Sequence, residues 1–344
     1  MREAEAKNVS ILVSQNRQPD HLCIIVAFRD GCGWHGNNRS SQLEQFLDYM
    51  TACLGARGHS SFRFFVSEQS QRGLFNKGLL FNLGALQAFS EGCEHLVFHD
   101  VDQHPEHPEN DYFYHGHPTH LCTYSTSFHE PRSRSRLRLH VGGALLMSRS
   151  DYQAVNGFSN QYWRWGLEDD DMYFRIYSAF DHMTRLPQEV GSYKAVEHHR
   201  EAFDVYKASD AYKASLAHLN KMQGDIVEAR TQMASDGLDQ ACLYGEFLRI
   251  DRHPSRRLVI LTSDLFDSSP CMDAMPNKTK TELEDRHRDQ GGGGSCVSTL
   301  KDARLQPTII PRIRLCTAHH LFCIKLWSSH EILHKTSMKM KTKQ

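Results

Sequence analysis

At 344 residues the chain is long enough for one large domain or two modest ones, and a formal net charge of −1 supplies no global field to hold nucleic acid or an anionic membrane. It is 40% hydrophobic and 24% charged, which is ordinary for a soluble globular protein. No apolar run is long enough to span a bilayer, and Met1 to Lys7 lacks the apolar stretch of a signal peptide, so neither a membrane span nor a leader is expected in this chain. Ten cysteines occur without a Cys-x-x-Cys pair, which argues against a zinc ribbon and leaves both reduced core thiols and disulfides open.

Leu22 to Phe28 is continuously apolar, the signature of a strand buried on both faces. Gly31 to Gly36 reads as a loop. Helical spacing follows from Ser41 to Leu54, with Leu43, Phe46, Leu47, Met50 and Leu54 on one face. Phe62 to Val66 predicts a second strand and Phe75 to Phe89 a second helix. Glu94 to Phe98 predicts a third strand, running into His99-Asp100-Val101-Asp102. The βαβαβ order predicts a parallel sheet with right-handed crossovers, whose ligands sit at the C-terminal ends of the strands. Further on, Val141 to Met147 reads as a strand carrying a Gly-Gly pair, and Asp151 to Asn156 as a short helix. Asp204 to Ala234 has polar helical character, and Leu258 to Leu261 reads as a last strand. Past Asp267 a charged stretch, four glycines (Gly291 to Gly294) and an aperiodic basic segment predict a disordered tail or appendage. The expected organisation is an extension over 1–20, a catalytic domain over 21–266 and a tail over 267–344.

Three groups of residues carry chemistry. Asp100 and Asp102 place two carboxylates at a strand end, suited to a hard divalent cation that neutralises a diphosphate. Arg29, at the end of the first strand, has the planar fork that grips phosphate or carboxylate, and Asn76 is placed either to cap the second helix or to read a ligand. Trp163-Arg164-Trp165-Gly166-Leu167-Glu168-Asp169-Asp170-Asp171 sets two tryptophans and a glycine before four acids that open a helix. Acids in a first turn suit the helix dipole; beside aromatic faces they also suit sugar rings and hydroxyls.

Taken in order, these motifs resemble those of the β-1,4-galactosyltransferases. The matching stretches are Ala27-Phe28-Arg29, Phe75-Asn76-Lys77-Gly78, Asp100-Val101-Asp102, Gly142-Gly143 and the long run Asn156-Gly157-Phe158-Ser159-Asn160-Gln161-Tyr162-Trp163-Arg164-Trp165-Gly166-Leu167-Glu168-Asp169-Asp170. The resemblance spans about residues 20–265. His99-Asp100-Val101-Asp102, Val141-Gly142-Gly143 and Tyr193-Lys194 before His198-His199 bring it nearest the xylosylprotein 4-β-galactosyltransferase branch.

The resemblance implies a GT-A glycosyltransferase fold, an α/β Rossmann-like mixed sheet flanked by helices, with Mn2+ as cofactor. It implies a UDP-sugar donor, a glycan, glycoprotein or proteoglycan acceptor, and a Golgi location. It casts Asp102 and His198 as metal ligands, with His199 a further candidate. Arg29, Phe75, Lys77, Asp100, His140 and Trp165 fall on the donor side. Glu168, Asp169 and Asp170 fall on the acceptor acids, Asp169 as general base. Departures are equally specific. Lys77 stands for an arginine, Arg164 for a glycine, His140 for a tyrosine beside the donor sugar, and His198-His199-Arg200 for His-x-His. The His140 change leaves UDP-N-acetylgalactosamine as an alternative donor, and a catalytically inactive sugar-nucleotide-binding protein of the same fold is the alternative of a different class.

Overall fold

The structure, a computed structural model, describes residues 22–30, 39–70, 73–126, 140–164, 166–180, 182–196, 209–224 and 226–266, with the backbone of two later strands. The expected loop at 31–36 and extension at 1–20 lie outside these residues.

β1 (Leu22–Phe28) is central because both its faces are apolar. Leu22, Ile24, Val26 and Phe28 enter one core, and Cys23 and Ile25 the other. It pairs in parallel with β2 (Phe62–Gln69), Leu22 opposite Phe62, and with β3 (His95–His99), Leu22 opposite His95. With β2 and β3 on opposite sides of β1, two crossovers of one hand must leave their helices on opposite faces. α1 (Arg39–Ala56) packs its Leu43, Phe46, Leu47, Met50 and Leu54 stripe into the first core, while α2 (Lys77–Ser90) fills the second with Leu79, Leu80, Leu83 and Leu86. All three parallel strands thus end on one side of the sheet, and β3 there delivers Asp100 and Asp102.

Beyond β3 come β4 (Gln103–Pro105), β5 (Thr119–His120), β6 (Tyr124–Ser125) and β7 (Ala144–Ser148). β7 runs antiparallel to β3, His99 opposite Ala144, so the sheet is mixed. The short α3 (Arg149–Ala154) follows under a Ser148–Asp151 capping box. Then come α4 (Glu168–Phe180), β8 (Thr184–Arg185) and β9 (Ser192–Ala195). The polar helical stretch expected over 204–234 is broken within its described part, with α5 (Asp210–Gln223) and α6 (Ile226–Ser235) separated at Gly224.

β10 (Gly245–His253) forms an antiparallel pair with β11 (Leu258–Leu265). Sequence reading missed β10: a register shift between Phe247 and Arg249 breaks the apolar alternation that would have revealed it. β12 (Ile313–Ala318) and β13 (Leu321–Leu326) fall within the stretch expected to be a disordered tail; short apolar runs such as Leu321-Phe322-Cys323-Ile324 have strand composition. The main sheet runs β13-β12-β10-β11-β2-β1-β3-β7-β5-β8, and β4-β9-β6 form a small second sheet.

Cys23 and Cys93 form a disulfide from β1 to the turn before β3, which decides between the two cysteine readings at that pair. Among the described residues, Cys53 and Cys122 remain thiols.

Candidate active site

Burying an unpaired charge costs several kcal/mol, yet three of the four acids that open α4 are inside: Glu168 is 5% exposed, Asp169 8% and Asp171 0%. Two cations make this tolerable, and they divide the run by role.

Lys77, the first residue of α2, is one of them. Its Nζ lies 2.9 Å from Glu168 Oε1, 2.9 Å from Asp169 Oδ2 and 3.3 Å from Asp100 Oδ1. Burial works against the ammonium, but the carboxylates of Asp100, Asp169 and Glu168 outweigh it and hold Lys77 well above its ordinary value. Asp169 is pushed up to about 6, because burial and the neighbouring Glu168 exceed the relief from Lys77. For Asp100, burial opposes ionisation but Lys77 overcomes it and draws the carboxyl down. Lys77 is held in place because Asn76 caps α2, accepting from Leu79 N at 2.9 Å and donating to Asn160 O at 2.8 Å. The sequence offered Asn76 as cap or ligand reader, and it is the cap.

Arg175 is the second cation. Asp171 accepts from Arg175 Nε at 2.5 Å and from the Tyr162 hydroxyl at 2.8 Å. The same guanidinium donates to Asp236 O at 2.9 Å, and Asp236 Oδ1 accepts from Asn160 N at 3.0 Å. Asp171 therefore fastens the helix to the Asn156–Asn160 run rather than facing a ligand. That run is itself a brace. Asn82 on α2 donates to Phe158 O at 2.7 Å, and a Cβ at Gly157 would stand 2.3 Å from Asn82 Oδ1. Its i,i+4 spacing made the Asp171–Arg175 pair readable in the sequence, whereas Asp236 and His218, which lies 3.6 Å from Asp236 Oδ2, are brought in by the fold.

His140 and Gly142, the first of the glycine pair, face the acids. His140 Nδ1 is 3.8 Å from Asp170 Oδ1; burial works against its proton, but Asp170 and Asp169 raise its pKa above the ordinary value. A Cβ on Gly142 would lie 2.3 Å from Asp169 Oδ2 and 2.6 Å from His140, so only glycine lets the backbone come this close.

Arg29 and Phe75 sit together, the guanidinium 5.4 Å from the ring centroid, with Arg29 donating to Gly73 O at 2.9 Å. Phe75 O in turn accepts from Arg164 N at 2.6 Å. Arg164 has φ 78°, followed by Gly166 at 88° and Leu167 at 77°. A left-handed non-glycine residue costs of order 1 kcal/mol or more. Arg164→Gly is therefore expected to stabilise the protein by about 1 kcal/mol, raising Tm by about 2–4 °C in a thermal melt; a lower Tm would show that the arginine side chain outweighs the strain.

Asp102 is 7% exposed in the turn after β3, and its carbonyl accepts from Val196 N at 2.8 Å. That bond brings the chain just before His198 alongside the acid turn. Trp165, His198 and His199 lie outside the described residues. Among the described residues, no group of three His, Cys, Asp or Glu side chains is arranged to hold a metal. A buried carboxylate at a strand end has the oxygen-donor chemistry that a hard divalent cation takes.

An acid turn at the ends of parallel strands, facing an acidic helix start across a Gly-Gly strand in a mixed sheet, defines a GT-A glycosyltransferase fold. Comparison with known proteins agrees. Residues 7–115 match the family model described as the N-terminal region of glycosyl transferase group 7, and residues 123–199 the one described as the N-terminal domain of galactosyltransferase. The chain is 33% identical over 165 residues to the xylosylprotein 4-beta-galactosyltransferase of Caenorhabditis elegans, covering 48% of this chain and 53% of that protein. It is 36% identical over 209 residues to human beta-1,4-galactosyltransferase 4, covering 58% and 57%. The crystal structure of the catalytic domain of Drosophila beta-1,4-galactosyltransferase 7 in complex with xylobiose superposes with a TM-score of 0.56 at 27% identity, covering 76% of this chain and 98% of that one. A mutant of the same Drosophila enzyme, in complex with manganese, UDP-Gal and xylobiose, gives 0.54 at 26%. The chain belongs to the β-1,4-galactosyltransferase family. It spans about half the length of the curated relatives it matches.

Proposed function

We propose that the chain is an inverting, manganese-dependent transferase that moves galactose from UDP-galactose to the 4-hydroxyl of a terminal xylose-type sugar on a glycan or proteoglycan acceptor, in the Golgi. The observation that carries this reading is the Lys77–Asp169–Glu168–Asp100 cluster. It sets one carboxylate, with a pKa near 6, at the ends of the parallel strands and opposite the Gly-Gly backbone. The Drosophila structure complexed with manganese, UDP-Gal and xylobiose supports the donor, metal and acceptor class.

Ionised Asp169 accepts the proton of the acceptor hydroxyl as its oxygen attacks the anomeric carbon in line, and the bond to the UDP oxygen breaks with inversion. Glu168 and Asp170 orient the acceptor through its hydroxyls. Arg29 and Phe75 bind the nucleotide end, Lys77 and Asp100 hold the donor side, and Trp165 covers the bound donor and excludes water. Asp102, with His198 and His199, would hold the manganese ion, which when bound offsets the charge on the departing diphosphate.

His140, an imidazole facing Asp170 where the family resemblance places a tyrosine beside the donor sugar, leaves UDP-N-acetylgalactosamine as a second donor reading. A screen of UDP-sugars with manganese and β-xyloside, glucoside and N-acetylglucosaminide acceptors tests both readings. Expected is UDP release with UDP-galactose and xyloside that a chelator abolishes. Preferential turnover of UDP-N-acetylgalactosamine would transfer the assignment to the second donor. Donor binding without turnover of any sugar would make the chain an inactive relative.

A further inference from the structure

Arg185 on β8 reaches the backbone that the acids face. It is the register partner of His120 on β5 and lies 5.8 Å from the Tyr173 ring of α4. Its Nη2 donates to His140 O at 3.0 Å, and its Nη1 lies 2.9 Å from His120 Nδ1. The other imidazole nitrogen, His120 Nε2, is 2.9 Å from Gly142 O.

These contacts leave one proton arrangement. A guanidinium only donates, so His120 Nδ1 is the acceptor; a carbonyl only accepts, so Nε2 carries the hydrogen. His120 is therefore neutral, in accord with burial and the adjacent guanidinium, which hold its pKa well below the ordinary value. One arginine and one histidine of fixed tautomer thus grip the carbonyls of residues 140 and 142, on either side of buried Val141. The gripped segment is the one whose Gly142 leaves no room for a Cβ beside Asp169 and whose His140 ring faces Asp170.

We infer that Arg185, acting through His120, is a positioning residue that fixes the wall of the donor site against which the transferred sugar lies. This rests on the functional reading above, in which residues 140–142 flank the sugar while Arg29 and Phe75 bind the nucleotide. The clamp then governs what the sugar adds to binding and leaves the nucleotide's own affinity alone.

The test separates those two quantities. Affinities for UDP and for UDP-galactose, with manganese, are measured by calorimetry for the wild type, Arg185→Ala and Arg185→Lys, alongside Tm, KM and kcat. Lysine keeps the charge but has only one prong, so it guards against an alanine variant that fails to fold. Expected is UDP affinity within about twofold of wild type, UDP-galactose affinity about tenfold weaker, and kcat about 10- to 100-fold lower, the scale of a small misplacement of reacting groups. Added guanidinium is expected to restore part of the kcat of Arg185→Ala, which a general loss of stability would not allow.

If both variants weaken UDP and UDP-galactose equally, or leave the ratio of the two affinities at its wild-type value, the clamp is overturned. If wild type binds UDP but gains nothing from the galactosyl group, the clamp is overturned as well. A wild type that binds neither ligand overturns the functional reading beneath it too.

Discussion

Asp169→Asn is expected to lower kcat by about 10²- to 10⁴-fold, the range for loss of a positioned general base, with little change in KM for the donor. Asparagine matches aspartate in shape, so Lys77 keeps Asp100 and Glu168 as partners at 3.3 and 2.9 Å and the α2–α4 junction stands. Steady-state rates on purified protein, with a thermal melt as the fold control, check this. A variant that retains a tenth or more of wild-type kcat would move the base elsewhere, and Glu168 would be the next to test.

The same residue fixes a pH dependence. Asp169 must be ionised to take a proton, and its pKa is pushed up to about 6, so kcat/KM is expected to fall as pH drops through about 6. Stability has the opposite sign. A carboxyl whose pKa rises on folding favours the folded state in its protonated form; that contribution is complete below the ordinary value of 3.8 and is lost as pH rises through about 6. Activity thus requires the ionised form that this site disfavours. In Asp169→Asn the contribution vanishes, so Tm near neutral pH is expected to hold or rise.

What the sequence revealed depended on how local each signal was. β1, both crossover helices and the strand-end acids were legible because continuous apolar runs and helical spacing are properties of a single segment. Asn76 was readable as a cap for the same reason. Glu168 and Asp169 were legible as candidate site residues but not as a buried pair, because their burial depends on Lys77, which arrives from a helix start more than ninety residues earlier. Lys77 read as a donor-side cation in place of an arginine; that it is also the common partner of three carboxylates is set by the fold. Arg185 and His120 carried no local motif at all, since their role is set by the β5–β8 pairing and by two backbone carbonyls. The cost of a left-handed arginine at 164 was foreseeable from the glycine it replaces, and φ 78° confirms that the position is left-handed.

Removing the Lys77 cation while keeping its bulk is the sharper test of the site's electrostatics. Lys77→Met leaves Asp100, Glu168 and Asp169 facing one another without their common partner, and loss of one member of a buried ion pair costs about 3–5 kcal/mol. Two of the wild-type shifts also change. Lys77 draws Asp100 down and partly relieves Asp169, so without it both carboxyls titrate higher. The acid limb of kcat/KM is expected to move above about 6. The stability deficit is expected to be largest at neutral pH and to shrink as pH falls and the carboxyls protonate, because a raised carboxyl pKa contributes stability only below it. Lys77→Arg, the residue the resemblance expects here, keeps the charge and is expected to retain most of the stability. Denaturant unfolding of both variants at neutral and mildly acidic pH decides the matter. A methionine variant equally stable at the two pH values would mean that the acids are held by something other than Lys77, and the base assignment to Asp169 would lose its electrostatic footing.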